Sequence, residues 1–362
     1  MKHDLPDDWA TQIAPSRIVY ARQIFRVFAD CAFQWTKNVG RRMLGRPHFE
    51  PKSMTLCSQN FWQLVRFRRI EKVTVSDYLA GEGAGSKALM VMFTISMCRA
   101  YCIRYVHTPF KGLGHAEGDQ EKWDAQWERF FNLGLNEEDA EPKTTEAFDY
   151  FLLTYLKAGS GDWTRFIHPP LPSSRPCYYL DNHSAPGDPA RRVEEDRFVQ
   201  LLTPHIPDFK ARYRHNKPVR ARHPVTVCIH IRRGDVEPGS KMWTDLAWYS
   251  KILDVVSDTF NSPRIWCFSQ GNREDFRELE RHNVELFLDM DAELTMQNLI
   301  EADVLVIAKS CFSYVAAMLS DAVVIFEPGH LPGFDEWIRC DHDGRLDAGA
   351  FKARFLACDT TQ

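Results

Sequence analysis

The chain lacks the marks of several large protein classes. Its 10 cysteines form no CxxC pair, which removes zinc ribbons and thioredoxin-type redox motifs. Cys98, Cys102, Cys228 and Cys267 fall in apolar strand or helix patterns, as free buried thiols do in a reducing compartment. A disulfide framework is not expected in a chain of 362 residues. No apolar run approaches membrane-spanning length, because the stretch 18–35 is broken by Arg22, Arg26 and Asp30. Residues 1–15 are acidic and polar, unlike a secretory leader. Neither sign of charge is in excess: 45 Lys and Arg against 49 Asp and Glu give a net charge of −4. That balance argues against nucleic acid as the main partner and leaves room for a local basic site. There is also no P-loop. In the run 81–86, Ser86 stands where a glycine must precede Lys87, and Ala88 follows instead of Ser or Thr.

What is present is ordinary globular material. Apolar residues make up 44% and charged residues 26%, enough for sizeable cores, and the length suits two domains. Four segments are expected: an N-terminal helical segment over 1–70, Rossmann-like domains over 71–221 and 222–340, and a tail over 341–362 packed on the body. In the first segment Ile18, Ile24, Phe25, Val27, Phe28, Cys31, Ala32 and Trp35 recur near helical spacing among basic residues. This predicts an amphipathic helix docked on the body, with peripheral contact to an anionic membrane surface as the alternative.

The body alternates strands and helices. Strand 72–79, the turn Gly81-Glu82-Gly83-Ala84-Gly85-Ser86, an apolar helix over 87–100 and strand 103–107 form one β–loop–α–β unit. Such a unit aims backbone N–H groups and a helix N-terminus at an anion, so Gly83 and Gly85 are candidate binding positions. The loop after it carries His107, His115 and Glu117, and Trp123, Trp127, Phe130 and Phe131 form a helical stripe that reads as core. The stretch 157–190 reads as loops. Strands over 225–231, 264–268, 284–288, 304–308 and 322–326 then alternate with helices, which implies a parallel, doubly wound sheet.

The most informative stretch is 225–235. It starts as a buried, β-branched strand and ends in His230, Arg232, Arg233, Gly234 and Asp235. Open α/β sheets bind ligands at the carboxyl ends of their strands. Paired arginines there suit phosphate, because a guanidinium fork matches phosphate oxygens. Polar groups recur after two later strands, at Ser269, Gln270 and Gly271 and at 309–313, and all should meet in one crevice.

His-Ile-Arg-Arg-Gly-Asp at 230–235 resembles the H-x-R-R-G-D signature of the GDP-fucose-dependent fucosyltransferases, above all the α1,2 and α1,6 types and their bacterial relatives. The strand at 302–306 followed by Ser310-Cys311-Phe312-Ser313 is similar to that family's later motif. The loop 81–86 and Ser269-Gln270-Gly271 fit in the same order. The resemblance implies an α/β, GT-B-like architecture, with two Rossmann-like doubly wound domains facing across a cleft. It implies an acceptor-side N-terminal domain and a C-terminal domain that binds the donor, GDP-fucose. It implies Arg232 on the β-phosphate, Arg233 supporting the phosphates or the loop, and His230 and Asp303 on the guanine or ribose. Ser310, Phe312 and Ser313 would line the diphosphate, and Asp235 would orient the arginine pair.

The expected chemistry is an inverting transfer of L-fucose to a glycan hydroxyl, as in surface-glycan or exopolysaccharide synthesis. Charge grows on the departing diphosphate, and a fixed cation stabilises it. The arginines fill the role a metal has elsewhere, so no metal or other cofactor is expected. Asp289-Met290-Asp291 has D-x-D spacing but reads as a strand-to-helix connection, and Asp341-His342-Asp343 as a polar turn. A carboxylate must take the acceptor proton. Glu237 is the first choice, with Glu117, Glu82 and Asp245 as rivals. The related α1,6 enzymes carry a glutamate where Ser240 stands here. The alternatives are a transferase with another nucleotide-sugar donor and a non-catalytic nucleotide-sugar-binding protein. A cytoplasmic location is expected, with or without peripheral membrane contact.

Overall fold

A computed structural model describes residues 72–75, 81–100, 104–116, 118–139, 149–150, 177–179, 198–215, 217–218, 225–260 and 262–359. The expected helix over 18–35, Glu117 and most of 157–190 lie outside these residues. In chain order the early elements are β1 (Lys72–Val75), α1 (Ala84–Ala100), β2 (Arg104–His107), α2 (Gln120–Phe131), β3 (Glu138–Asp139), β4 (Asp149–Tyr150) and β5 (Cys177–Tyr179). Next come α3 (Ile206–Arg214), β6 (Thr226–His230), α4 (Leu246–Thr259), β7 (Arg264–Ser269) and β8 (Glu285–Leu288). The last are α5 (Ala292–Ile300), β9 (Val304–Val306), α6 (Cys311–Leu319), β10 (Val323–Phe326), β11 (Ile338–Arg339) and α7 (Ala348–Asp359).

The chain divides into two compact units that interleave along the sequence. One takes residues 1–79, 94–109 and 136–194, and the other takes 80–93, 110–135 and 195–362. This differs from the consecutive cut expected between 221 and 222. Local bonding explains it. Gly81 N–H donates to Gly112 O at 2.8 Å and Gly114 N–H to Glu82 O at 2.9 Å, so the two glycine loops stay together. On α2, Trp127, Phe130 and Phe131 are buried, and they meet Tyr213 of α3 and Phe312 of α6. The aromatic stripe is therefore core, as its spacing predicts.

The first unit carries a parallel sheet in the order β3-β2-β1-β5-β4. β5 falls inside the stretch read as loops, since three residues are too few to show a period of two. In β2, Tyr105, Val106 and His107 are buried, and the Tyr105 hydroxyl meets His107 Nδ1 at 3.2 Å.

The second unit carries a parallel sheet in the order β11-β10-β9-β6-β7-β8. The chain adds β7 and β8 on one side of β6, then returns to add β9 to β11 on the other. This is the doubly wound order, with its reversal between β6 and β9. Alternation along β6 sets the two faces. Val227 and Ile229 join Ile252, Leu253 and Val256 of α4, and Phe351 of α7, in one buried cluster. On the opposite face Cys228 Sγ reaches Asn298 O of α5 at 3.5 Å. Each aliphatic side chain buried in this way contributes about 1.5–3 kcal/mol. The α/β, GT-B-like class expected from the sequence holds: the chain builds two Rossmann-like parallel sheets.

Two boundaries differ from the sequence reading. α1 starts at Ala84, inside the glycine-rich run rather than at Lys87. The helix read over 274–281 is a 3-10 helix, Arg273–His282. Its inward positions, Phe276, Leu279 and His282, repeat every three residues, which suits three residues per turn.

Candidate functional site

The site is built at the carboxyl ends of β6 and β9, where the doubly wound order leaves a crevice. After β6 the chain carries Arg232 out of the sheet, with 27% of its side chain exposed. Arg232 Nε donates to Asp235 Oδ1 at 3.1 Å and Nη2 to Oδ2 at 2.6 Å, a two-toothed pair. Nη1 donates to Lys309 O at 3.3 Å, tying the loop after β6 to the loop after β9. The arginine holds the Asp235 carboxyl below its usual range and is itself pushed up by that bond. Both charges are fixed at neutral pH. Gly234 has φ +82, and a Cβ there would lie 2.5 Å from Gln270 Oε1. The backbone angle of the turn needs glycine, while the end of the exposed Gln270 side chain is seated on it.

Arg233 points elsewhere. Nη1 donates to Arg232 O at 2.8 Å and Nη2 to Thr244 O at 3.0 Å. Its guanidinium lies 3.5 Å from the Trp243 ring centre, a cation–π stack. Of the two roles implied for it, this geometry serves the loop. Burial pulls Arg233 down from its usual range.

A second knot lies beside the first. Glu327, the residue after β10, accepts Lys309 Nζ at 2.8 Å, Thr244 Oγ1 at 3.0 Å and His342 Nδ1 at 2.6 Å. Its side chain is 8% exposed. The loops after β6, β9 and β10 are therefore cross-linked around one buried carboxylate. Sequence reasoning missed Glu327, although its place directly after a strand was the available signal.

Two helix N-termini meet here. Ser310 caps α6, taking the Phe312 N–H on its hydroxyl at 3.2 Å. Gly85, in the first turn of α1, lies against that same backbone: a Cβ there would sit 2.6 Å from Phe312 Cα and 2.8 Å from its N. Gly83 directly precedes α1, and its carbonyl takes the Lys87 N–H at 3.0 Å. N–H groups and dipoles of both helices favour negative charge in front of them.

His230 ends β6 with its ring 5.5 Å from that of Phe312. Its Nδ1 is enclosed and has no partner. Burial first, and Arg232 second, push its pKa down to about 4, so the ring is neutral. Trp127, whose ring lies 6.2 Å from that of Phe312, has an enclosed and unpartnered Nε1 as well.

Several expected residues serve the framework. Ser313 is fully buried, and its hydroxyl turns back to Ala308 O at 3.4 Å. The Ser269 hydroxyl donates to Ile231 O at 2.8 Å. Gly271, at φ +111, turns the chain into the 3-10 helix. Asp303 is not at the site. It precedes β9, at the amino-terminal edge of a parallel sheet, and its carboxylate accepts the Thr226 N–H at 2.7 Å. Among the carboxylates weighed as base, Glu237 is exposed on the loop after the arginines. Asp245 accepts Trp243 Nε1 at 2.8 Å. Glu82 sits in the glycine loop. Asp291 caps α5 through the Leu294 N–H at 2.9 Å, and Asp341 accepts the N–H groups of Asp343 and Arg345 in its turn.

No protein-family model matches the chain, and no curated protein matches it significantly in sequence. Solved structures do show similarity. E. coli heptosyltransferase WaaC with ADP matches over 80% of this chain and 100% of its own, at 12% identity and a TM-score of 0.39. A glycosyl transferase of family 9 from Veillonella parvula matches over 75% and 86%, at 9% identity and 0.36. WaaG, a glycosyltransferase involved in lipopolysaccharide biosynthesis, matches over 80% and 90%, at 9% identity and 0.28. These are distant likenesses of chain trace.

Proposed function

We propose that this chain is an inverting glycosyltransferase that moves L-fucose from GDP-fucose to a glycan hydroxyl. The observation that carries the reading is Arg232. It is a guanidinium fixed by Asp235 at the reversal point of a doubly wound sheet, beside the capped N-terminus of α6. That combination suits an anion carried by a nucleotide. The order of H-x-R-R-G-D and the later S-x-F-S run narrows the reading to GDP-fucose. In the reaction the bond from sugar C1 to the β-phosphate oxygen breaks, and its electron pair leaves with the diphosphate. The acceptor oxygen forms the new bond to C1 from the opposite side. Its proton passes to a carboxylate, for which we favour Glu237 on the loop after the arginines. Arg232 and the N–H groups of α6 hold the growing negative charge, which strengthens in the transition state. Glu327 and Lys309 keep the surrounding loops set before substrate arrives. The reading needs no cofactor or metal. We place the reaction in the cytoplasm. Among the described residues no helix is long and apolar enough to cross a membrane.

One observation favours a second reading. Asp303, implied as a reader of the guanine or ribose, stands at the far edge of the sheet. A sugar nucleotide with a different base therefore fits the same diphosphate site. The test is release of nucleoside diphosphate from GDP-, ADP- and UDP-sugars against a panel of glycan acceptors. Acceptor-dependent GDP release from GDP-fucose supports the first reading. Release from another donor alone moves the assignment to the second.

A further inference from the structure

The two arginines after β6 belong to a closed ring of hydrogen bonds. Arg232 Nη1 donates to Lys309 O at 3.3 Å, and Lys309 Nζ reaches Glu327 Oε2 at 2.8 Å. Thr244 Oγ1 donates to that same oxygen at 3.0 Å. Arg233 Nη2 donates to Thr244 O at 3.0 Å, and its Nη1 to Arg232 O at 2.8 Å, which closes the circuit. All of its members lie inside the second unit. Each arginine thus rests on the backbone carbonyl of a residue whose side chain ends on Glu327. The other Glu327 oxygen, Oε1, meets His342 Nδ1 at 2.6 Å, outside the ring.

Glu327 is the anchored member. It directly follows β10, a buried strand paired with β9 on one side and β11 on the other. Arg232, Arg233, Thr244 and Lys309 all stand on loops. A carboxylate as enclosed as Glu327 is tolerated only while it is paired and hydrogen-bonded, so its partners cannot drift away without cost. Thr244 is buried too, and only 14% of the Lys309 side chain is exposed. Asp235 cannot supply this anchorage to Arg232. It grips Nε and Nη2 from three residues along the same loop and moves when that loop moves.

We propose that Glu327 is the positioning residue of the diphosphate site: through Lys309 and Thr244 it fixes the carbonyls on which Arg232 and Arg233 are set. This rests on the reading of the site as a nucleotide-sugar donor site. An arginine set before the ligand arrives bears its ordering cost in folding rather than in binding, and it is in place when negative charge grows. Charge alone makes the opposite prediction. Removing the Glu327 carboxylate leaves Arg232, Arg233 and Lys309 with less negative charge beside them, which by itself favours an incoming anion. Glu327→Gln and Glu327→Ala remove the same charge. Only Ala also removes the oxygen that joins Lys309 to Thr244, because Gln keeps a carbonyl oxygen for both.

The experiment measures urea unfolding, affinity for GDP, ADP and UDP, and turnover of the sugar donor that wild type accepts. Glu327→Ala should bind the nucleoside diphosphate more weakly and lose turnover on the order of tenfold to a hundredfold, as a misplaced catalytic group does. Glu327→Gln should bind at least as tightly as wild type and keep most of its turnover. In an Arg232→Ala background the further change Glu327→Ala should cost much less, because a group that it positions is already gone. Thr244→Val opens the ring at one bond, alters no charge and keeps the Thr244 carbonyl. It should lower turnover severalfold, and it carries the test if Glu327→Ala does not fold. A Glu327→Ala protein with a lower urea midpoint but wild-type kcat overturns the positioning role. So do equal turnover in Glu327→Ala and Glu327→Gln, an equal loss with and without Arg232, or wild-type turnover in Thr244→Val. Each of these leaves the donor site standing. If wild type binds no nucleoside diphosphate and turns over no donor, the donor-site reading falls and this inference falls with it.

Discussion

Replacing Gly85 by alanine should destabilise this protein, although the same change usually strengthens a helix. In a helix interior, Ala is favoured over Gly by about 1 kcal/mol. Gly85 lies in the first turn of α1, where an added Cβ would stand 2.6 Å from Phe312 Cα, 2.8 Å from its N and 3.0 Å from Cys311 C. All three neighbours are backbone atoms, which cannot swing aside as a side-chain tip can. Moving from 2.6 Å to the 3.4 Å of ordinary contact requires the two helix starts to part by about 0.8 Å. Overpacking of this kind costs about 1–3 kcal/mol, so the net loss after the helix gain should fall between about 0 and 2 kcal/mol. The displacement falls on the N–H groups proposed to meet the diphosphate, and a shift of that size should weaken nucleotide binding on the order of tenfold. Urea unfolding and GDP titration of Gly85→Ala read the two effects. Gly83→Ala is the control, because its Cβ would be 3.5 Å from the nearest atom, in the His115 ring. It should unfold within about 0.5 kcal/mol of wild type. A Gly85→Ala protein as stable as wild type, with unchanged GDP affinity, would refute the close approach of α1 and α6.

Arg232→Ala should keep the fold and lose on the order of 3 kcal/mol of transition-state stabilisation, about two orders of magnitude in turnover. Arg232→Lys should also be poor, since a point charge cannot reproduce the fork, and near-normal kcat in either variant would dispose of the assignment. Exhaustive chelation should leave transfer intact. If EDTA abolishes it and Mn²⁺ or Mg²⁺ restores it, the metal-free scheme fails. Glu237→Gln should retain donor affinity and lose most turnover, and product NMR should show an α-fucoside from the β-linked donor. A β-fucoside overturns single displacement, whereas normal turnover in Glu237→Gln moves the base to Glu117 or Asp245.

The parts of this molecule written as local patterns were legible in the sequence. β6 is a β-branched run whose far end carries charge, and the strand–helix alternation fixes the parallel sheet that places those charges. The start of α1 was not legible, because the reason for Gly85 lies in Phe312, far along the chain. The left-handed backbone of His115 and the knot around Glu327 have the same origin: each needs loops brought together by the fold. Asp303 is a different case. A residue before a parallel strand must lie at the amino-terminal edge, so strand direction alone already separated it from a site at the carboxyl edge.

The interleaving of the two units has a consequence for how the chain is made. The backbone passes between them at 79/80, 93/94, 109/110, 135/136 and 194/195. A ribosome releases the α2 stripe, with Trp127, Phe130 and Phe131, long before it releases Tyr213 and Phe312, which cover it. Until then those rings lack part of their native cover, which is the condition that recruits chaperones and favours aggregation. The closing contacts are distant in sequence and should form slowly. For the same reason the second unit is not a cassette. A fragment cut at 195 would leave the buried Arg212 without Leu133 O, its acceptor on the segment removed. Moving this site to another chain therefore takes segments 80–93 and 110–135 together with 195–362.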